Sequence, residues 1–160
     1  AEASAKDIPM LGVCFGSQIL ASALCGRDQV FRRETCEIAY KDLPVTDAAH
    51  DDAIAADLGD SVHMFVWHND EVRGDHPDMV ILAYSDICPN HVWRYRDTCA
   101  WGIQGHPEIT KAQAPIWFEE NRARMEADGA DIDELKASAH EAEEAKTMLT
   151  RFIDVVKENA

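Results

Sequence analysis

Hydrophobic positions fall into two regimes along this chain: short apolar runs between residues 8 and 104, and helical spacing from residue 112 onward. Ile8-Pro9-Met10-Leu11-Gly12-Val13 suits a buried strand, with Pro9 tolerable near its start. Residues 17–24 have helical character, and Gly26 follows as a natural stop. Strand-like runs then succeed one another at 37–45, 62–67, 79–84, 92–95 and 100–104, separated by turn-forming Asp, Asn, Gly and Pro.

After residue 108 the character changes. The spacing predicts a helix over 112–126, closed by Asp128-Gly129-Ala130. Asp131 can cap a second helix, with Glu134 as its reciprocal partner. Ile132, Leu135, Ala139, Ala142, Leu149, Phe152 and Val156 recur at helical spacing and are expected to face the core. The run Glu141-Ala142-Glu143-Glu144 reads as a solvated face. No repeat or low-complexity linker divides the chain, so residues 1–160 read as one domain with 112–160 as its helical extension. The overall class is α/β. A buried parallel strand feeding a helix needs neighbouring strands on both sides, joined by right-handed crossovers. Only one such strand precedes the first helix, so the chain is expected to lack N-terminal strands.

Composition narrows the function. At 160 residues the chain can bury about 70% of its extended surface, enough for a sizeable core. It carries 30 Asp and Glu against 15 Lys and Arg, a net charge of -15. Such a surface repels phosphate backbones, so nucleic acid is not an expected partner. The five cysteines (14, 25, 36, 88 and 99) are odd in number and show no C-x-x-C pairing, which argues for a reducing compartment. No apolar run approaches the roughly 20 residues of a membrane span, and residues 1–7 lack the features of a signal peptide. The expected setting is cytoplasmic, with no membrane partner.

Two motifs carry chemistry. In Gly12-Val13-Cys14-Phe15-Gly16-Ser17-Gln18 a strand turns into a helix with a cysteine at the turn. Gly12 and Gly16, two positions either side, allow close approach of flanking segments. The helix N-terminus aims free N–H groups and its positive dipole end at Cys14, which favours the thiolate. The Phe15 N–H is placed to donate to a developing oxyanion. In Gly105-His106-Pro107-Glu108, Pro107 is expected to hold His106 extended, so that residues two apart point the same way. Glu108 then orients His106, which takes the Cys14 proton. A zinc deaminase reading of His-x-Glu fails because no P-C-x-x-C follows, and no cysteine lies beyond residue 99. Histidines 50, 63, 68, 76, 91 and 140 show no ligand spacing, so no metal and no cofactor is expected.

Together these motifs resemble the class I glutamine amidotransferases, most of all the glutaminase type of guanosine monophosphate synthase and its stand-alone relatives. Cys36-Glu37-Ile38-Ala39, Trp67-His68-Asn69-Asp70-Glu71-Val72, Ser85-Asp86-Ile87-Cys88-Pro89 and Trp101-Gly102-Ile103-Gln104 support the resemblance, which spans residues 8–115. It implies a flavodoxin-like core and a Cys14–His106–Glu108 triad that cleaves the glutamine side-chain amide through a γ-glutamyl thioester. It further implies Gln18, Asn69 and Asp70 as substrate-binding positions, although Asn69 and Asp70 depart from the commoner Ser and Leu. A Gly-rich loop upstream, which gives the family its second oxyanion donor, has no match in residues 1–7. Losing one such donor costs about 10²–10³-fold in rate. Gly105 stands where synthase-linked members carry a bulky residue, and γ-glutamyl peptidases are similar there. No second, nucleotide-binding domain follows, so an ammonia-using synthase would be a separate chain. Three readings stay open: a glutaminase serving such a partner, a γ-glutamyl peptide hydrolase, and a non-catalytic relative.

Overall fold

Residues 6 and 8–159 are described by the computed structural model of the chain. The first apolar run forms β1 (Met10–Val13), which turns at Cys14 into α1 (Phe15–Leu24). Gly26, at φ 120°, takes the chain out of that helix through a conformation that L side chains rarely adopt. Next come two long strands, β2 (Val30–Pro44) and β3 (Ser61–Val72), paired as an antiparallel ribbon. β2 begins at Val30, earlier than its apolar pattern predicts. The added stretch is rich in charge, and its Arg32 lies opposite Asp70. A register shift between Arg32 and Glu37 interrupts the ribbon there.

The remaining strands are β4 (Met79–Ala83), β5 (Val92–Tyr95) and β6 (Ala100–Ile103), close to their predicted bounds. They form an antiparallel meander, and β6 pairs in parallel with β1, giving the order β1-β6-β5-β4. Helix α1 packs on β1 and β6. Trp93 Nε1 donates to Ser17 Oγ at 2.9 Å, tying α1 to β5 beneath the elbow.

β3 is the structural divide. Val62, Met64 and Val66 enter the main core beside Leu43, Leu82, Trp101 and Ile103. Phe65 and Trp67 point the other way, into a second cluster with Phe118, Met125, Ile132 and Leu135. This is the period of two of an extended strand, here with both faces covered. Each fully buried large side chain of this kind is worth about 1.5–3 kcal/mol.

The C-terminal helices differ from their sequence pattern in two ways. The single helix predicted over 112–126 is two, α2 (Ala114–Glu120) and α3 (Arg122–Ala127), broken at Asn121. Asn121 Nδ2 donates to the Trp117 carbonyl at 2.9 Å, a local bond that competes with the helical ladder. The second predicted helix also divides, into α4 (Ile132–Ser138) and α5 (Glu143–Glu158). Asp131 caps α4 as expected, accepting from the Asp133 and Glu134 amides at 3.0 Å. α4 serves the second cluster and α5 the main core, so the chain must cross from one side of β3 to the other. That crossing resets the helical phase. Ala145, Met148 and Val155 are buried on α5, whereas Leu149 is half-buried and Val156 is exposed, against expectation. Glu141, Glu143 and Glu144 are exposed, as predicted.

Candidate active site

Cys14 sits at φ 49° and ψ -108°, a conformation that costs a non-glycine residue about 1–3 kcal/mol. The surrounding bonds hold it there: its N–H donates to the Ile103 carbonyl at 2.7 Å. Its own carbonyl accepts from Ser17 and Gln18 at 3.0 and 3.3 Å. The Phe15 and Gly16 amides are therefore the ones left at the helix mouth. The two elbow glycines are not equivalent. A Cβ on Gly12 would collide with the Gly16 backbone and lie 2.6 Å from the Ser17 nitrogen, whereas a Cβ on Gly16 would meet nothing within 4 Å. Cys14 Sγ lies 3.8 Å from the Trp67 carbonyl oxygen and 3.8 Å from Gln104 Nε2.

His106 reaches Cys14 from the end of β6. Its N–H donates to the Phe65 carbonyl at 2.8 Å, bridging to β3. Gly105 permits this approach, because a Cβ there would strike Met64 and stand 3.0 Å from the Phe65 oxygen. The Ile109 amide donates back to the His106 carbonyl at 3.3 Å, so His-Pro-Glu is a turn and not the extended segment predicted. Proline suits that turn through its fixed φ. The pairing expected of it is present: His106 Nδ1 lies 2.7 Å from Glu108 Oε1, with Glu108 half-exposed. The imidazole is flanked by the Phe65 and Trp117 rings, at centroid distances of 6.0 and 5.7 Å. Burial alone would lower the His106 pKa, but Cys14 and Glu108 outweigh it and raise it to about 9. With Nδ1 engaged by Glu108, Nε2 is the nitrogen left for Cys14.

Cys14, Phe15, Gln18, Asn69, Asp70 and His106 all line one cavity of about 380 Å³. Gln18 Nε2 is bound to the Asp70 carbonyl at 2.7 Å and approaches Gln104 Oε1 at 3.4 Å. Gln18 thus ties α1 to β3 as well as facing the cavity. Trp67 and His68 line it too, and so do Arg32, Trp117 and Arg124, which the sequence did not single out. Arg32 lies 3.4 Å from Asp70, and Arg124 stacks 4.8 Å above the Trp67 ring. The signal available for the two arginines was basic charge in a strongly acidic chain. Gln104, wholly buried beside Cys14, gave no signal of its own.

Behind this wall lies a second group of reactive side chains. Glu37 and His68 are opposite one another in the β2–β3 register, and Cys88 and His91 come in from the β4–β5 connection. Spacing along the chain shows no ligand pattern for these histidines, yet folding brings them together. Burial opposes ionisation of Glu37, but His68 and His91 overcome it and hold the carboxyl well below the usual carboxylate range. Burial pushes His91 down, only partly offset by Glu37, and pushes the Cys88 thiol far up.

The family described as glutamine amidotransferase class-I matches residues 1–121. The chain belongs to this family. Among curated proteins it is 34% identical over 103 residues to a subunit of the glutamine-hydrolysing GMP synthase from Methanothermobacter thermautotrophicus, covering 64% of this chain and 53% of that one. Its counterpart from Halobacterium salinarum is 32% identical over 107 residues, covering 67% and 56%. The chain spans about half the length of these curated relatives. Among solved structures, a glutamine amidotransferase from Thermotoga maritima superposes with a TM-score of 0.80 at 25% identity, over 97% of this chain and 65% of that one. One from Methylobacillus flagellatus superposes at 0.71 and 23% identity, over 96% and 65%, a likeness of fold. The flavodoxin-like class I core expected from sequence is that of the family, and the expected C-terminal helices follow it. Among the described residues, no helix is long and apolar enough to cross a membrane.

Proposed function

We propose that this class I glutamine amidotransferase domain hydrolyses the side-chain amide of glutamine through Cys14, His106 and Glu108. The observation that carries the reading is the strained Cys14 at a helix mouth, facing an imidazole whose far nitrogen is held 2.7 Å from a carboxylate. The thiolate attacks the amide carbon, and the Phe15 amide donates to the oxyanion. The carbon–nitrogen bond breaks as His106 protonates the departing ammonia, leaving a γ-glutamyl thioester. Water then attacks with His106 as base, releasing glutamate and restoring the thiol. Arg32 and Arg124 supply cations for the substrate α-carboxylate, and Asp70 an anion for its α-ammonium. The upstream oxyanion loop that the resemblance implies has no match in residues 1–7, so the Phe15 amide is the donor this reading names.

Ammonia would pass to a synthase carried on another chain. The GMP synthase subunits among the relatives support that reading. A thiolate nucleophile suits the reducing cytoplasm. We take the helical tail to belong to the same domain, since α2 to α5 complete the cores on both sides of β3. γ-Glutamyl peptide hydrolysis is the second reading. It is favoured by the paired guanidinium groups at the cavity, which suit a substrate with two carboxylates. The test is glutamate release from glutamine and from γ-glutamyl dipeptides, with Cys14→Ala as the control. Cys14-dependent release from glutamine supports the glutaminase, and a preference for dipeptides supports the peptidase. Release unchanged in Cys14→Ala would sink the triad.

A further inference from the structure

We infer that Glu37, His68, Cys88 and His91 form a closed four-ligand site for a divalent metal ion, zinc by its donor set. One donor atom from each lies within 4.8 Å of all the others. The four residues are 2%, 4%, 0% and 0% exposed, so bulk water does not reach them. Their neighbours satisfy them only in part. Glu37 Oε2 lies 3.0 Å from His68 Nε2 and 3.6 Å from His91 Nε2, but neither contact is aligned as a hydrogen bond. Both His68 nitrogens and His91 Nδ1 lack a hydrogen-bond partner. His91 Nε2 has one neighbour besides Glu37, Ser85 Oγ at 3.2 Å. Buried polar atoms left without partners are uncommon, and several converging on one point call for a group that joins them.

The chemistry fits a tetrahedral ion. One thiolate, two imidazoles and one carboxylate are zinc donors, and bond lengths of about 2.0–2.3 Å require donors about 3.3–3.8 Å apart. Drawing in from the observed separations takes about an ångström. Charge also closes, since a thiolate and a carboxylate neutralise a divalent cation while the imidazoles stay neutral. Arg33 pairs with Glu71 at 2.7 Å, and Lys41 Nζ lies 3.3 Å from Glu37 Oε1, leaving Oε2 for the metal. All four positions come from protein, so the ion has no open place for substrate and serves structure. It would pin the ribbon carrying Trp67 and Asp70 to the β4–β5 connection, and so fix the wall that holds Cys14 and Gln18.

The test uses purified protein carrying Cys14→Ser, which removes the other thiol–imidazole pair as a competing site. The protein is stripped with chelator in denaturant and refolded anaerobically with Co²⁺. The inference expects saturation at one ion per chain, the intense visible bands of tetrahedral cobalt, and a sulfur-to-cobalt charge-transfer band. Zn²⁺ should displace both signals and raise the melting temperature. Cys88→Ser should abolish the charge-transfer band, and His91→Gln should weaken affinity at least about tenfold, while Cys36→Ser changes neither. Three results would overturn the site: no tetrahedral spectrum, a weak octahedral one, or a charge-transfer band that survives Cys88→Ser. They would leave Glu37 as a metal-free carboxylate between two imidazoles.

Discussion

Among the described residues two assemblies of thiol, imidazole and carboxylate stand near β3, around Cys14 and around Cys88, and they differ in almost every physical respect. Around Cys14 the backbone is strained, the carboxylate of Glu108 is half-exposed, and a cavity of about 380 Å³ adjoins the sulfur. Around Cys88 everything is sealed. Their imidazoles move in opposite directions: His106 is raised to about 9 beside Cys14 and Glu108, whereas burial lowers His91. The same functional groups meet in an open, strained setting at Cys14 and in a closed one at Cys88. Residue type alone does not separate the two.

The comparison breaks first at Cys14. Cys14→Ala should reduce glutamate release at least about 10⁴-fold, as loss of a nucleophile does elsewhere, while thermal melting stays within a degree or two of the parent. Next comes the sealed side. Glu37→Gln should cost about 3–5 kcal/mol in urea unfolding, because it leaves His68, His91 and Lys41 around a group that no longer carries charge. A loss under 1 kcal/mol would show that this carboxylate is not a structural joint.

Glu108→Gln should act on rate more than on stability, lowering kcat about 10²-fold. It should also lower the His106 pKa, so the alkaline limb of the pH–rate profile, set in the parent by the loss of imidazolium near 9, moves to lower pH. The sign in stability follows. A folded pKa raised from 6.5 to about 9 gives a contribution that is whole below 6.5 and lost as pH rises through 9. The stability gap between parent and variant should therefore close over that window. A gap that widens instead would contradict the assigned charge state. The smallest effect is the most diagnostic. Gly105→Ala inserts a methyl against Met64 and the Phe65 carbonyl, and should cost about 1–3 kcal/mol. Because β3 serves both assemblies, activity and melting temperature should fall together.

Much of this was legible in the sequence, for identifiable reasons. The elbow and His-Pro-Glu are local patterns whose residues are neighbours in the chain, and the strands at 79–83, 92–95 and 100–103 are short apolar runs bounded by turns. What escaped depends on the third dimension. Gln104 reads as one more strand residue until β6 sets it beside Cys14. Glu37 and His68 are 31 positions apart yet directly opposed in the ribbon, so their meeting is a matter of register. The helical phase of α5 departs from its pattern because Ala139, at φ -64° and ψ 123°, is extended and interrupts what reads as one continuous repeat. Such a break follows from which core each half must cover, and a one-dimensional pattern does not carry that.

β3 has a further consequence, for folding fidelity. Its carbonyls at Phe65 and Asp70 accept from His106 and Gln18, its Trp67 carbonyl faces Cys14, and its side chains alternate between two cores. A slip of one residue would send Phe65 and Trp67 into the main core and Met64 and Val66 out of it. The same slip would misplace every carbonyl that the reactive residues lean on. Correct packing and a correctly assembled site are thus a single alignment, so a register-slipped chain loses both together.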